Sequence, residues 1–314
     1  MKKYLIKLLL FLFIFFLFDK LFLVVADQSA EKEIDKRLEL LINGQMNKDI
    51  LIAGSSRGSR GIIAKQIEDS LGLSTYNISY PGSDVRFHKF LIETLMAFND
   101  PPKYIFLVVD DNQELIKNKR TVTFRKDRLY PLVKYPYIWK LLATIENRGV
   151  FFSEFMVLNR LNKSNFDLSE KQYTPLDTMM CCGSMPISWT DKNLQFEFVE
   201  DDSYSLDKEV EDKVVAFQEM VDIIKSSGSQ LIVVFPPNFK AHSPDFENRI
   251  KLLCGDGVDF YTYDINNPAY LKKSSFFDEE HLVKDAAEMF TIEIINFLKN
   301  KVSFAESINT QSEG

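Results

Sequence analysis

The chain has 314 residues, of which 46% are hydrophobic and 26% are charged. These values exclude a disordered chain, and the length suits one large domain or two small ones. The formal net charge of -7 argues against nucleic acid as a partner, because binding phosphates requires a basic face.

The N-terminal segment, residues 1–26, is the most apolar part of the chain. Residues 4–26 are about long enough to cross a bilayer as a helix, which takes roughly 20 residues. Lysines near the start predict a cytoplasmic N-terminus and an extracytoplasmic globular part. A cleaved signal peptide is the alternative. The apolar run continues past Asp19 and Lys20, which favours an uncleaved single-pass anchor.

Residues 27–48 are predicted to form a polar, partly helical spacer. The main domain is predicted at 49–302, and a polar, flexible tail at 303–314. The first part of this domain alternates short apolar runs with amphipathic patterns. It predicts strands at 50–53, 75–79 and 104–109, and helices at 59–71 and 84–98.

Residues 115–204 interrupt this alternation. They contain helical patterns and an irregular stretch, and they are predicted to be a mainly helical insertion or cap. The alternation then returns, with predicted strands at 231–235 and 258–263 and helices at 205–227, 246–253 and 283–298.

Strands that alternate with helices predict a parallel sheet covered on both faces. Right-handed crossovers then give an α/β fold, a three-layer, doubly wound, flavodoxin-like sheet of about five strands. Ligands bind such sheets at the carboxyl ends of the strands, so the polar residues that follow the predicted strands are candidates for a functional site.

Ser56 follows the first strand and precedes a helix, where free amide groups favour developing negative charge. Asp278 and His281 stand three residues apart before the last helix. An aspartate can hold the histidine tautomer that accepts a serine proton, so these residues predict a Ser-Asp-His triad. Each motif alone also fits an ordinary structural role, a serine-rich turn or a helix cap beside a surface histidine.

Gly82 follows the second strand and Asn112 the third, and both are candidate donors to an oxyanion. A tight turn and a polar strand end are the structural alternatives. Arg57 is a candidate for binding an anionic substrate, or it pairs with a surface carboxylate. Metal-dependent hydrolysis at Asp110 and Asp111, with the distant Asp278 and His281, is a weaker alternative because the spacings do not favour a metal site, so neither metal nor cofactor is predicted.

The order of these blocks resembles the SGNH (GDSL-like) hydrolase superfamily over residues 49–298, apart from 115–204. The chain is most similar to the membrane-anchored envelope branch, whose members work in O-acetylation or D-alanylation of cell-surface polymers. The sequence departs from the family pattern at Ser55, where the family has Asp, and at residues 110–113, which keep only the Asn of Gly-x-Asn-Asp. The resemblance implies Ser56 as nucleophile, His281 as base, Asp278 as its partner, and Ser56, Gly82 and Asn112 as oxyanion donors.

The resulting expectation is a membrane-anchored, extracytoplasmic serine esterase or O-acyltransferase. It would act through an acyl-enzyme on an envelope polysaccharide or another acylated polymer, alongside envelope-modification proteins. A non-catalytic binding or assembly component of an envelope polymer system is the alternative, favoured by the altered third block and the large insertion.

Overall fold

The computed structural model of the protein describes residues 1–117, 122–167, 169–189, 195–200 and 203–312. The chain divides into two compact units. The helical unit comprises residues 1–36 and 125–172, and the sheet unit comprises residues 37–124 and 173–314. The predicted insertion, residues 115–204, is therefore shared between the two units.

The sheet unit is built on parallel strands in the order β2-β1-β3-β4-β5, which is the flavodoxin-like order. The predicted α/β fold with a five-stranded parallel sheet is confirmed. The strands are β1 (Ile50–Gly54), β2 (Thr75–Asn77), β3 (Tyr104–Val108), β4 (Gln230–Phe235) and β5 (Asp259–Thr262).

Helices connect these strands, and further helices form the helical unit. In chain order they are α1 (Lys2–Glu31), α2 (Arg37–Ile42), α3 (Ser56–Gly61), α4 (Ala64–Leu71), α5 (Val85–Phe98), α6 (Lys126–Leu129), α7 (Pro136–Ile145), α8 (Val150–Phe155), α9 (Glu211–Ser226), α10 (Pro244–Cys254) and α11 (Lys284–Ser312).

The central strands are buried on both faces, which explains their nearly continuous apolar sequences. Alternate residues such as Ile52, Val108 and Val234 form one core cluster with apolar residues of α4 and α11. On the opposite layer α5 packs against α9, and these helices also contact β1 and β4. The sheet is thus covered on both sides, as the alternating pattern predicts.

The helix predicted at 59–71 is broken into α3 and α4 at Ile62 and Ile63. Side chains from distant segments form hydrogen bonds with backbone groups at the break. The Ser184 hydroxyl donates to the Ile62 carbonyl oxygen at 2.9 Å, and the Thr291 hydroxyl accepts from the Ile63 amide at 3.0 Å. The apolar periodicity gave no sign of this break because partners more than 100 residues away stabilise it.

The N-terminal helix of the helical unit, α1, is long and apolar enough to cross a membrane. It continues to Glu31, so the first residues of the predicted spacer are helical. The side chains from Tyr4 to Phe18 are exposed, whereas Asp19, Phe22 and Ala26 are buried. Only the first part of α1 therefore presents apolar residues on all sides.

The last helix, α11, also extends beyond its predicted end at Leu298 and runs to Ser312. It includes most of the segment 303–314 that was predicted to be a flexible tail. The final two residues lie outside the described part of the chain.

Gly54 ends β1 and is paired with Val108 of β3. A Cβ atom at this position would lie 2.6 Å from the Val108 carbonyl oxygen, and the backbone has a φ of +156°. Both features require glycine, because the obstructing atom belongs to the backbone of a central strand and has no freedom to move away.

We expect Gly54→Ala to lower the free energy of unfolding of the sheet unit by about 2 kcal/mol or more, since it overpacks a central strand pair. Gly72→Ala is the matched control, because Gly72 has a φ of +68° with no atom within 4 Å of the added Cβ. Gly72→Ala should lower the free energy of unfolding by clearly less than Gly54→Ala. Denaturant unfolding monitored by circular dichroism would measure both, and equal losses would contradict the close contact at Gly54.

Candidate active site

Ser56 begins α3 immediately after the turn that leaves β1. Its own amide belongs to the first turn of the helix, where N–H groups have no partner within the helix. Ser56 is partly exposed, whereas the neighbouring Ser55 is buried. The strand-to-helix turn therefore presents Ser56 at the carboxyl edge of the sheet.

The two adjacent serines have different partners. Ser55 is the N-cap of α3, accepting from the Arg57 amide at 3.4 Å, and its hydroxyl donates to the Asp110 carboxylate after β3. Ser56 instead lies within 2.7 Å of His281, measured from Oγ to Nε2. Ser55 thus fixes the turn, and Ser56 alone faces the histidine.

His281 lies between Ser56 and Asp278. Its Nδ1 atom is 2.8 Å from each carboxylate oxygen of Asp278, and the side chain is 12% exposed. An ionised carboxylate only accepts hydrogen bonds, so Nδ1 carries the proton and Nε2 accepts from the Ser56 hydroxyl. The three predicted triad residues are therefore joined in the order that general-base activation of a serine requires.

A compact turn holds Asp278 in place. Its Oδ1 atom accepts from the amides of Glu280 and His281, both at 2.9 Å, and the Phe277 amide donates to the His281 carbonyl oxygen at 2.8 Å. Partial burial raises the pKa of Asp278, but the hydrogen bonds from His281 and the backbone outweigh it and leave the pKa below its usual value. The carboxylate is consequently ionised at neutral pH.

Lys240 connects this turn to the loop after β3. Its ammonium group contacts the carboxylates of Asp111 and Glu280, at 2.5 and 3.2 Å, and its side chain is buried. The Phe239 amide also donates to the Glu279 carbonyl oxygen at 2.9 Å. Three loops at the carboxyl edge are thereby tied together beside the triad.

The two remaining oxyanion candidates lie in loops at the same edge. Gly82 has a φ of +72°, and its amide has no acceptor among the described residues. Asn112 begins a short 3-10 helix, Asn112–Glu114, and is 1% exposed. In the described part of the chain, the hydrogen bonds that join Ser56, His281 and Asp278 do not extend to Gly82 or Asn112.

Arg57 points into the protein rather than to the surface. It is 5% exposed, and its guanidinium donates to the Pro236 carbonyl oxygen at 2.6 Å. The bond links the start of α3 to the end of β4, so it orders the edge of the sheet. Arg57 also lines a pocket whose other walls include Asp110, Asp111, Asn238, His242 and Tyr263.

A buried polar network below the serine turn was missed by the sequence analysis. His88 Nε2 is 2.9 Å from Ser83 Oγ, and His88 Nδ1 is 3.3 Å from Glu114 Oε1. Glu114 also accepts from the Asp110 amide at 2.9 Å, and Asp110 accepts from Ser55. The spacing of His88 with Leu91 and Leu95 on α5 was the available signal, because it puts the histidine on the buried face.

Two groups in this network have shifted pKa values. Burial raises the pKa of Asp110 to about 7, the Glu114 carboxylate adds to this shift, and the Arg57 guanidinium opposes it. Burial lowers the pKa of His88, but Glu114 outweighs it and leaves the pKa above its usual value. The pKa values of Asp110 and His88 therefore both depend on the neighbouring Glu114 carboxylate.

Comparison of the sequence with models of known protein families and with curated proteins gives no match. Among the described residues, no group of three or more His, Cys, Asp or Glu side chains is arranged to hold a metal ion. Asp110 and Asp111 have other partners, Ser55 for Asp110 and Lys240 for Asp111.

Asp110 predicts a specific pH dependence of stability. The folded protein retains its proton up to about pH 7, whereas the unfolded chain releases it near pH 4. The free energy of unfolding should therefore fall as pH rises between these values, by at most about 1.4 kcal/mol per pH unit for one proton. In Asp110→Asn this component should be absent, so the variant gains stability relative to the wild type as pH increases.

Chemical denaturation across this pH range measures the difference. Asp256→Asn, at an exposed position in the sheet unit, is the control and should follow the wild-type profile. Parallel profiles for Asp110→Asn and the wild type would show that Asp110 has no raised pKa.

Proposed function

We propose that the protein is a membrane-anchored serine esterase or O-acyltransferase of the SGNH type. The observation that carries this proposal is the 2.7 Å contact between Ser56 Oγ and His281 Nε2, with Asp278 bonded to the other ring nitrogen. Such a chain of hydrogen bonds activates a hydroxyl for attack on an ester carbonyl. The α/β fold is compatible with many functions, so the argument rests on this site.

In the proposed reaction, His281 takes the proton of Ser56 as Oγ attacks the ester carbonyl. The same proton then passes to the departing alkoxide, and the acyl group remains on Ser56. In the second half, water or a sugar hydroxyl attacks the acyl carbon as His281 takes its proton. The Ser56 Oγ–acyl bond then breaks, the acyl group leaves on the incoming oxygen, and His281 returns the proton to Oγ. Asp278 stabilises the imidazolium in both steps and stays ionised, consistent with its lowered pKa.

The negative charge that develops on the carbonyl oxygen during the attack requires hydrogen-bond donors. The Ser56 amide at the start of α3 and the Gly82 amide, which has no acceptor among the described residues, are suited to this role. The Asn112 side chain is the proposed third donor and comes from the loop after β3. No cofactor is required for this chemistry.

The substrate class and location follow from the resemblance and from α1. We propose that α1 anchors the protein with its N-terminus in the cytoplasm and the globular part outside. The substrate is then an envelope polysaccharide or another acylated polymer, and other envelope-modification proteins are its partners. Arg57 is not proposed as a primary contact for an anionic polymer, because its side chain is buried and bonded to Pro236.

The non-catalytic alternative predicts a serine and a histidine out of hydrogen-bonding reach. The 2.7 Å contact between Ser56 and His281 favours catalysis instead. The altered third block fits either alternative, since Asp110 and Asp111 are bonded to Ser55 and Lys240 within the protein.

We expect Ser56→Ala to abolish turnover of a generic acetyl ester. Ser55→Ala should retain Ser56-dependent turnover, because the Ser55 hydroxyl bonds Asp110 rather than His281; loss of the N-cap should lower stability by about 1 kcal/mol. Steady-state hydrolysis measured with both variants and the wild type tests this. Equal turnover in Ser56→Ala and the wild type would reject the proposal.

Asn112 provides a separate test of the oxyanion site. If its side chain donates to the developing charge, Asn112→Ala should lower kcat roughly a hundredfold or more while KM changes little. Asn266→Ala, at an exposed position after β5, is the control and should behave as the wild type. An unchanged kcat in a folded Asn112→Ala protein would remove Asn112 from the proposed mechanism. The amides of Ser56 and Gly82 would then be the remaining proposed oxyanion donors.

A further inference from the structure

The short helix α8 of the helical unit carries an exposed aromatic surface. Phe151, Phe152 and Phe155 are 83%, 60% and 62% exposed, although phenylalanine is normally buried. Phe155 follows Phe151 by four positions and Phe152 by three, and both spacings place side chains next to each other on a helix, so Phe155 joins the three rings into one patch. An exposed apolar patch of this kind marks a surface that contacts a partner or a membrane.

Hydrogen bonds attach α8 and the turn after it to α1 at the level of Asp19 and Lys20. The Lys20 ammonium donates to the Phe155 carbonyl oxygen at 2.7 Å and lies 5.7 Å from the centre of the Phe155 ring. The carboxylate of Asp19 accepts from the amides of Val157 and Leu158, at 3.1 and 2.8 Å, in the turn that follows α8. The aromatic patch is therefore fixed beside residues 19 and 20 of α1.

This level coincides with the end of the exposed, predominantly apolar part of α1, in which Lys7 is the one charged residue between Tyr4 and Phe18. Side chains from Tyr4 to Phe18 are exposed, and burial against the helical unit begins at Asp19. A helix rises about 27 Å from Lys2 to Lys20, and the hydrocarbon core of a bilayer is roughly 30 Å thick. If Lys2 lies at one boundary of the hydrocarbon, α8 lies near the other.

The charges around α8 suit such a boundary. Asp19 is neutralised by Lys20 at 2.9 Å and by the two amides, so it presents no unpaired charge to lipid. Lys20 also lies 5.0 Å from the Phe16 ring, on the apolar side of this level. At the edge of the aromatic face, Glu154 pairs with Lys140 of α7 at 3.2 Å.

We propose that α8 lies in the membrane interface, with Phe151, Phe152 and Phe155 inserted among the lipids of the leaflet from which α1 emerges. The helical unit would then contact the membrane through two elements, the spanning helix α1 and the aromatic helix α8, which lies in the plane of the interface. The inference goes beyond catalysis and rests on the proposed anchoring by α1. Continuity of the patch with the apolar surface of α1 selects lipid as its occupant.

Tryptophan quenching by brominated lipids in the full-length protein tests this inference. The variants are Phe152→Trp on α8, Phe11→Trp in the middle of the apolar run and Leu252→Trp, at an exposed position on α10 of the sheet unit. Each is reconstituted in phosphatidylcholine vesicles with bromines either high or low on the acyl chains. The signal of the two native tryptophans is subtracted by using the parent protein.

We expect Phe152→Trp to lose most of its added fluorescence with the shallow bromines and less with the deep ones. Phe11→Trp should show the opposite order, and Leu252→Trp should be unaffected. Quenching at position 11 but not at 152 would overturn this inference and leave the anchor intact. Quenching at neither position would reject the anchor and this inference together, while the esterase assay with Ser56→Ala remains an independent test.

A blue-shifted but unquenched tryptophan at position 152 would also count against lipid. If its emission changed with the ratio of protein to lipid, a second copy of the chain would be the occupant of the patch. If it did not change, another protein surface or an internal contact would cover the patch.

Discussion

The hydrogen bond between Ser56 and His281 joins residues 225 positions apart in the chain. It depends on one constraint, the common carboxyl edge that parallel strands β1, β3 and β4 share. The close approach of Gly54 to Val108 fixes the first turn at this edge, and the Asp278 turn closes the last one. The nucleophile and base of the proposed esterase are therefore arranged by the backbone before any substrate binds.

Buried charges make this edge rigid. Lys240 pairs with two carboxylates from different loops, and an ammonium group held in this way is strongly favoured over one left unpaired. Below it, Asp110 accepts from the Ser55 hydroxyl, and its burial, together with the nearby Glu114 carboxylate, raises its pKa. Asp110, in the loop after β3, thus supports the serine turn from beneath through its bond to Ser55.

Local patterns were sufficient to predict the strands, most of the helices and the triad candidates, because apolar runs and the Asp-x-x-His spacing are short-range signals. Long-range contacts were not predictable from them. The break at Ile62 depends on Ser184, and the inward direction of Arg57 depends on the Pro236 carbonyl. Residues 115–204 carry no periodicity that separates the segment associated with α1 from the segment within the sheet unit. Two partners of Asp19, the amides of Val157 and Leu158, lie in that segment, whereas its third partner, Lys20, is its neighbour in sequence.

The central claim is that Ser56 is a nucleophile activated by His281. The most direct measurement is reaction of the full-length protein with a fluorophosphonate probe, followed by mass spectrometry of the modified peptide. The account predicts a single adduct on Ser56, with labelling strongly reduced in His281→Ala, because the free hydroxyl is a weak nucleophile without its base. Labelling at another serine, or labelling of Ser56 that is unaffected by loss of His281, would contradict the account.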